Sequence, residues 1–315
     1  MVDEAAAIGI DIGGTKLVAA TIDGHGNIIE RRRRETPAND EDQLLSTIMT
    51  LIGELGAHLP VGVGIAGLVT PDGTFRYGPN IAVRDLPLQA RLHGATSATV
   101  AVTNDASAAA LGEQRVGAAR GHPDTVLFTL GTGVGGGVVV DGKLLVGSQG
   151  FGGELGHVIV VEGGRPCPCG NLGCIEAYTS GSSIGTIARE RLADAAVVSM
   201  LRDESHVDGR AVTRAAADGD GFAQDLLAEV GGWLGVAAAS MVNALDPGIV
   251  LVGGGAAPPA ARWLLPAARA TMAQRLVGSA WRSPPPLELA ALGDDAGMIG
   301  AGLFAAERDR VAVDR

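Results

Sequence analysis

Three cysteines and one histidine stand out in this chain by residue type and spacing. The stretch 153–181, GELGHVIVVEGGRPCPCGNLGCIEAYTSG, holds all three cysteines, Cys167, Cys169 and Cys174, within eight positions, and His157 precedes the first of them by ten residues. One His and three Cys can close a tetrahedral zinc site, with Zn–S near ~2.3 Å and Zn–N near ~2.0 Å. Four protein ligands leave no open position, so such a zinc would be structural, holding a loop and fixing its neighbours. A disulfide would leave one cysteine over, and Cys167 and Cys169 are too close in sequence for an easy bridge. Three unrelated free thiols are the remaining alternative. Gly163, Gly164, Gly170 and Gly173 supply the turns that a metal knuckle needs.

Two glycine-rich turns suit phosphate. Asp11-Ile12-Gly13-Gly14-Thr15-Lys16 follows an apolar run. Glycines there let backbone N–H groups face an anion, Thr15 adds a hydroxyl donor, and Asp11 could hold a Mg²⁺-bound water. An ordinary hairpin turn is the plainer reading of the same residues. Gly131-Thr132-Gly133-Val134-Gly135-Gly136-Gly137 repeats the pattern. It is not a P-loop, because the Gly-Lys-Ser/Thr ending is missing, nor a dinucleotide fingerprint, because a strand rather than a helix comes next. Two such turns could hold the two ends of a triphosphate.

Asn104-Asp105 follows the strand-like ATVAV and opens a helix. Both residue types serve as N-caps. A carboxylate at the C-terminal end of a strand beside a phosphate site is also placed to act as general base toward an attacking hydroxyl. Gly78-Pro79-Asn80 is a turn whose amide could bind a sugar. Glu154, His157 and Glu176 are polar groups among glycines and aliphatics, a set that the several hydroxyls of a sugar require.

The elements that must carry these residues alternate. Residues 7–23 and 125–145 each read as strand, Gly/Thr turn, strand. Between them come a helix near 40–57, a buried strand at 61–67, a strand at 98–102 and a helix from about 106 to 116. That order points to an α/β fold. After the cysteines the chain turns helical: GSSIGTIARE and LADAAVVSMLRDE as short helices, then 211–218 and 220–244, stopped by Asp246-Pro247-Gly248. IVLVGGG at 249–255 is a strand ending in Gly253, Gly254 and Gly255, PLELAAL at 286–292 a late strand, and 294–310 a final helix with Asp294 as N-cap. The doubled hairpin suggests two lobes: a small one over 1–117, with the last helix (about 296–315) packing back on it, and a larger one over 118–295 carrying the cysteines. The hinge is expected near 117–124.

Composition narrows the function classes. The 315 residues are 46% hydrophobic but only 3% aromatic, so the core is aliphatic. A net charge of −11 argues against a nucleic-acid surface. The basic run Arg31 to Arg34 reads as the exposed end of a strand. No apolar run in the sequence approaches the ~20 residues of a membrane helix, and MVDEAAAIGIDIGG lacks the positive start of a secretory signal. A cytoplasmic protein with no membrane partner is expected.

Taken together these residues resemble the ROK family of repressors, uncharacterised reading frames and sugar kinases, over essentially the whole chain. Asp11 to Thr15 and Gly131 to Gly137 match its two phosphate motifs, Asn104 and Asp105 its sugar-binding and catalytic pair, and Glu154 to Gly181 its Cys-x-Cys-Gly-x-x-Gly-Cys signature. Gly253 to Gly255 match the glycine run near the adenosine. The resemblance implies a two-lobed actin-like ATPase (ribonuclease H-like) α/β fold with a cleft between lobes and a zinc-binding loop. It implies ATP and Mg²⁺, structural Zn²⁺ on His157, Cys167, Cys169 and Cys174, and phosphorylation of glucose at its 6-hydroxyl with Asp105 as base. Asn80, Asn104, Glu154, His157 and Glu176 would bind the sugar, His157 using one ring nitrogen for sugar and the other for zinc. Fructose, mannose or an N-acetylated amino sugar as substrate, or polyphosphate as donor, are the close alternatives. A sugar-sensing regulator of the same family would carry a helix-turn-helix before the first phosphate strand, for which the residues before Ala7 leave no room. The family often forms dimers or tetramers, so a homo-oligomer is expected. One departure is visible: where family kinases often carry Trp, three residues after the Asn of Pro-Asn, this chain has Val83.

Overall fold

The computed structural model describes residues 5–94, 96 and 98–313. The chain forms two compact units, one of residues 1–123, 137–153 and 294–315, the other of 124–136 and 154–293. Segment 137–153, assigned from the sequence to the larger lobe, clusters with the first unit.

The first unit begins with β1 (Ala7–Ile12), β2 (Lys16–Ile22) and β3 (Ile28–Glu35), followed by α1 (Glu41–Leu55) and β4 (Val61–Ile65). Then come a small ribbon of β5 (Leu68–Val69) and β6 (Phe75–Tyr77), a short α2 (Leu88–His93), β7 (Val100–Asn104) and α3 (Asp105–Val116). The sheet order is β3-β2-β1-β4-β7. β1 to β3 are antiparallel neighbours, and β4 and β7 add in parallel. The two parallel additions bring the C-terminal ends of β1, β4 and β7 to one edge, with Asp11 opposite Gly64 and Ile65 opposite Asn104. In an open α/β sheet that edge is where ligands bind. β3 carries the whole Arg31–Arg34 run along the sheet's edge, where exposed charge discourages pairing with another strand.

Leu44, Leu45, Ile48, Leu51, Ile52 and Leu55 are the buried stripe of α1, repeating at helical spacing and filling one core with Ile8, Ile10, Ile12 and Val63. Asp40 caps α1, accepting from Gln43 N at 2.9 Å. The other face of the sheet is covered by a helix from the far end of the sequence, α9 (Ala296–Val313), which packs on α3, β1 and β4. Glycine permits that approach: a Cβ on Gly62 would overlap the carbonyl of Ala301.

The second unit opens with β8 (Thr125–Leu130), which leads into β9 (Val134–Val140) and β10 (Lys143–Leu144). After the cysteine segment come α4 (Glu176–Thr179), α5 (Gly181–Leu192), α6 (Gly209–Ala217), α7 (Gly221–Leu245), β11 (Ile249–Gly253), α8 (Ala257–Gln274) and β12 (Leu287–Leu289). The second sheet runs β10-β9-β8-β11-β12, with β8, β11 and β12 parallel. The division between units falls inside β9, at Gly136–Gly137. α7 and α8 pack along each other.

Two expectations are corrected, and one helix was not expected at all. LADAAVVSMLRDE does not form a helix: α5 ends at Leu192, and only a 3₁₀ turn at Met200–Asp203 comes after it. Local side-chain bonds outcompete helix there, Asp194 accepting from Ala196 N and Ser199 from Leu201 N. α8 has no counterpart among the elements expected from the sequence. Pro258 and Pro259 fall in the first turn, where their missing N–H groups cost nothing, and Pro266 is carried inside the helix. Finally, α7 is long and apolar enough to span a bilayer by length and composition, although no such run was expected. Its burial inside the unit, 56% of the apolar window, accounts for that composition.

Candidate functional site

In the first unit the hairpin β1-β2 turns through Gly13, Gly14 and Thr15. Gly13 N donates to Lys16 O at 3.0 Å, and Thr36 Oγ1 donates to Gly13 O at 2.7 Å. A Cβ on Gly14 would overlap Asn80, so the Pro-Asn loop lies directly against this turn. Lys16 points its ammonium to Asp294, 3.4 Å away in an exposed pair. Neither Thr36 nor the Asp294 pairing was evident from sequence, where Asp294 read only as a helix cap.

Asn104 ends β7 and caps α3, its Oδ1 accepting from Ser107 N at 2.9 Å. Its Nδ2 donates to Gly67 O at 3.1 Å. The same amide also bonds the Asp105 carboxylate, so Asn104 ties the loop at Gly67 to the start of α3. Asp105 is the first residue of α3, partly accessible and recessed, and burial raises its carboxyl above the usual range. Asp11 sits at the same sheet edge with its carboxyl pushed up to about 7. Burial is the main cause, the charge of Asp105 adds, Lys16 opposes, and Asp294 and Asp295 add further. Burial and the charge of Asp105 thus disfavour ionisation of Asp11 beside it. Val83, at the family's Trp position, is buried.

In the second unit the ligand atoms of His157, Cys167, Cys169 and Cys174 all lie within 4.8 Å of one another. Cys167 Sγ is 3.7 Å from His157 Nδ1, and Cys169 Sγ is 3.7 Å from Cys174 Sγ. The edge of a tetrahedron with a ~2.3 Å metal–sulfur radius is about 3.8 Å. A disulfide needs about 2.05 Å, and all three cysteines are free. Burial pushes the Cys167 and Cys174 thiols up, so three thiolates at this spacing call for a cation among them. The donor set therefore fits Zn²⁺. With Nδ1 turned to the sulfurs, His157 Nε2 faces Glu154, at 3.8 Å.

The second glycine turn, 131–133, is braced by the segment just past the cysteines. Gly131 O accepts from Gly181 N at 2.8 Å, and Glu176 Oε2 accepts from Val134 N at 2.8 Å. Glu176 Oε1 lies 3.7 Å from Cys167 Sγ. Gly254, at φ +79°, brings its Cα against Leu130 just before the turn. Gly253–Gly255 lead directly into α8, whose N-terminus, missed in the sequence, adds a partial positive charge beside them. The structure thus gathers Asp11, Asn80, Asn104 and Asp105 in one unit. It gathers the metal cluster, Glu154, Glu176, Gly131–Gly133 and Gly253–Gly255 in the other.

The sequence profile described as the ROK family matches residues 7–308. The chain belongs to the ROK family. Within the family, the chain is 35% identical over 313 residues to a glucokinase of Streptomyces coelicolor, covering 96% of this chain and 98% of the relative. It is 35% identical over 252 residues to an N-acetylmannosamine kinase of Escherichia coli, covering 78% and 82%. A ROK family glucokinase from Streptomyces griseus, solved in complex with glucose and AMPPNP, superposes with a TM-score of 0.80 at 35% identity, covering 97% and 99%. The fold is that of ROK sugar kinases, the actin-like ATPase fold.

Proposed function

We propose that this ROK protein is an ATP-dependent glucokinase that forms glucose 6-phosphate. The observation that carries the reading is Asp105: a recessed carboxylate at a sheet's ligand-binding edge, its affinity for protons raised by burial, beside Asp11. Similarity to glucokinases over nearly the full chain supports the choice of substrate class.

In this reading Asp105 accepts the proton of the sugar's 6-hydroxyl as that oxygen attacks the terminal phosphorus, and ADP leaves with the bond's electron pair. General-base assistance of this kind supplies roughly 10²–10⁴-fold. Asn80, Asn104, Glu154, His157 and Glu176 orient the sugar. Gly13, Gly14, Thr15, Lys16 and Gly131–Gly133 hold phosphates, and Gly253–Gly255 lie at the adenosine. Lys16 would exchange its exposed partner Asp294 for phosphate.

Mg²⁺ fits Asp11, because a half-buried carboxylate opposed by other aspartates gains from a nearby cation. When bound it would neutralise phosphate charge. Zn²⁺ on His157, Cys167, Cys169 and Cys174 would fix the ring of His157 so that Nε2 is left for the sugar. A kinase that draws on ATP would work in the cytoplasm.

The N-acetylmannosamine kinase relative keeps an N-acetylated amino sugar as the second reading. A panel of six-carbon sugars with ATP and polyphosphate as donors tests both. The highest kcat/KM is expected for glucose with ATP. A higher value for an N-acetylated amino sugar, or for polyphosphate as donor, would replace the proposal.

A further inference from the structure

The turn at 131–133 does little to hold itself. Within the turn, one backbone bond runs from Gly131 N to Gly133 O, 2.9 Å. Both of its ends are fixed from outside by one short segment, 176–181, which begins two residues after Cys174. Gly181 N donates to Gly131 O at one end, and Val134 N donates to Glu176 Oε2 at the other, each at 2.8 Å. The Glu176 carboxylate also fills the space under the turn, since a Cβ on Gly133 would lie 2.5 Å from Oε2. Its other oxygen is 3.7 Å from Cys167 Sγ. The backbone of Glu176 is pinned in turn: its carbonyl accepts from Ser183 Oγ at 2.7 Å and Ser180 N at 3.2 Å. Ile175 N donates to Val158 O at 2.9 Å, tying the same segment to the residue after His157.

We propose that Glu176 is a positioning residue for the nucleotide: it links the metal knuckle to the second glycine turn, so that metal occupancy sets affinity for the nucleotide's phosphates and not only for sugar. This rests on the reading of 131–134 as a phosphate-holding turn. The physical argument is pre-organisation. A short glycine-rich loop has more backbone freedom to lose than any other sequence, and fixing it before the ligand arrives removes that cost from binding. A charge-assisted hydrogen bond from Val134 N to a carboxylate is a strong way to fix it. The carboxylate is itself placed by a segment that starts at the metal ligands, so loosening the knuckle loosens the turn.

The test is binding of a non-hydrolysable ATP analogue with excess Mg²⁺ and no sugar, by calorimetry. Four forms are compared: the wild-type zinc-loaded protein, the same protein after a zinc-selective chelator, Glu176→Ala and Glu176→Gln. Thr132→Ala serves as the arm that probes the turn itself, and hydrogen exchange of the peptide spanning 131–136 is measured in each. Glu176→Ala and zinc removal are each expected to weaken analogue binding on the order of tenfold and to speed exchange in 131–136. Glu176→Gln keeps an acceptor for Val134 N, so its analogue affinity should stay within about threefold of wild type. If Thr132→Ala weakens binding while Glu176→Ala and zinc removal leave both affinity and exchange unchanged, the coupling is overturned and the phosphate turn stands. If Thr132→Ala also has no effect, the turn does not hold phosphate and the proposal falls with it.

Discussion

Replacing Asp11 by Asn should make the ligand-free protein more stable, and increasingly so as pH rises. The carboxyl of Asp11 is moved from 3.8 to about 7 by burial and by Asp105. A carboxyl with a raised folded-state pKa is protonated in the native chain while already ionised in the unfolded one. Unfolding then releases a proton, and native stability falls with rising pH between 3.8 and about 7. Each pH unit in that window costs about 1.4 kcal/mol, so the full penalty above neutrality is about 4 kcal/mol. The amide of the variant would not titrate. Between pH 5 and pH 8 the stability gap between Asp11→Asn and wild type should therefore widen by about 3 kcal/mol. That amounts to a relative shift of the unfolding midpoint of several degrees, on the order of 5 °C.

Thermal unfolding of both proteins at pH 5 and pH 8, with chelator present, reads this directly. The same variant should lose the stabilisation that Mg²⁺ with a non-hydrolysable ATP analogue gives the wild type at pH 8, because the gain in stability and the loss of cation binding have one cause. A gap that stays constant from pH 5 to pH 8 would refute the reasoning, since it would mean that Asp11 ionises in the native chain as freely as in the unfolded one.

Three further outcomes are expected from the geometry. Metal analysis of protein purified without added zinc should find close to one zinc per chain, and Cys169→Ser should lower zinc content and stability together; zinc-free protein with full sugar affinity and stability would remove the metal from the account. Gly62→Ala should destabilise by about 1–3 kcal/mol or more in denaturant unfolding, because its methyl would overlap the Ala301 carbonyl on α9, and a neutral result would show that α9 can move away at no cost. Asn104→Ala should cost about 0.5–2 kcal/mol through loss of the α3 cap, whereas Asn104→Asp should keep the cap while losing the amide's bonds to Gly67 O and Asp105; equal stability of Asn104→Ala and wild type would remove the cap from the argument.

The candidate site residues could be picked out in the sequence for a local reason. Gly/Thr turns between apolar strands, Asn-Asp ahead of a helix, and cysteines packed into eight positions carry their geometry within a few residues. The features that escaped are long-range or contradict local propensity. The bond from Val134 N to Glu176 spans 42 residues, and Lys16 meets Asp294 across 278. α8 was hidden by its three prolines, although Ala260, Leu264, Ala268 and Met272 repeat at helical spacing and are all buried. The segment after Leu192 misled in the opposite direction: LADAAVVSMLRDE has helical composition, but Asp194 and Ser199 spend their side chains on nearby backbone amides. The departure at Val83 resolves into a buried aliphatic residue in the first unit's core.

The account turns on Asp105 as the base that activates a sugar hydroxyl. The most direct measurement is formation of glucose 6-phosphate from glucose, ATP and Mg²⁺ by wild type and by Asp105→Asn, with folding of the variant verified. Wild type should convert glucose, and Asp105→Asn should fall by roughly 10²–10⁴-fold in kcat. A folded Asp105→Asn that turns over at the wild-type rate, or a wild type that forms no glucose 6-phosphate, would contradict it.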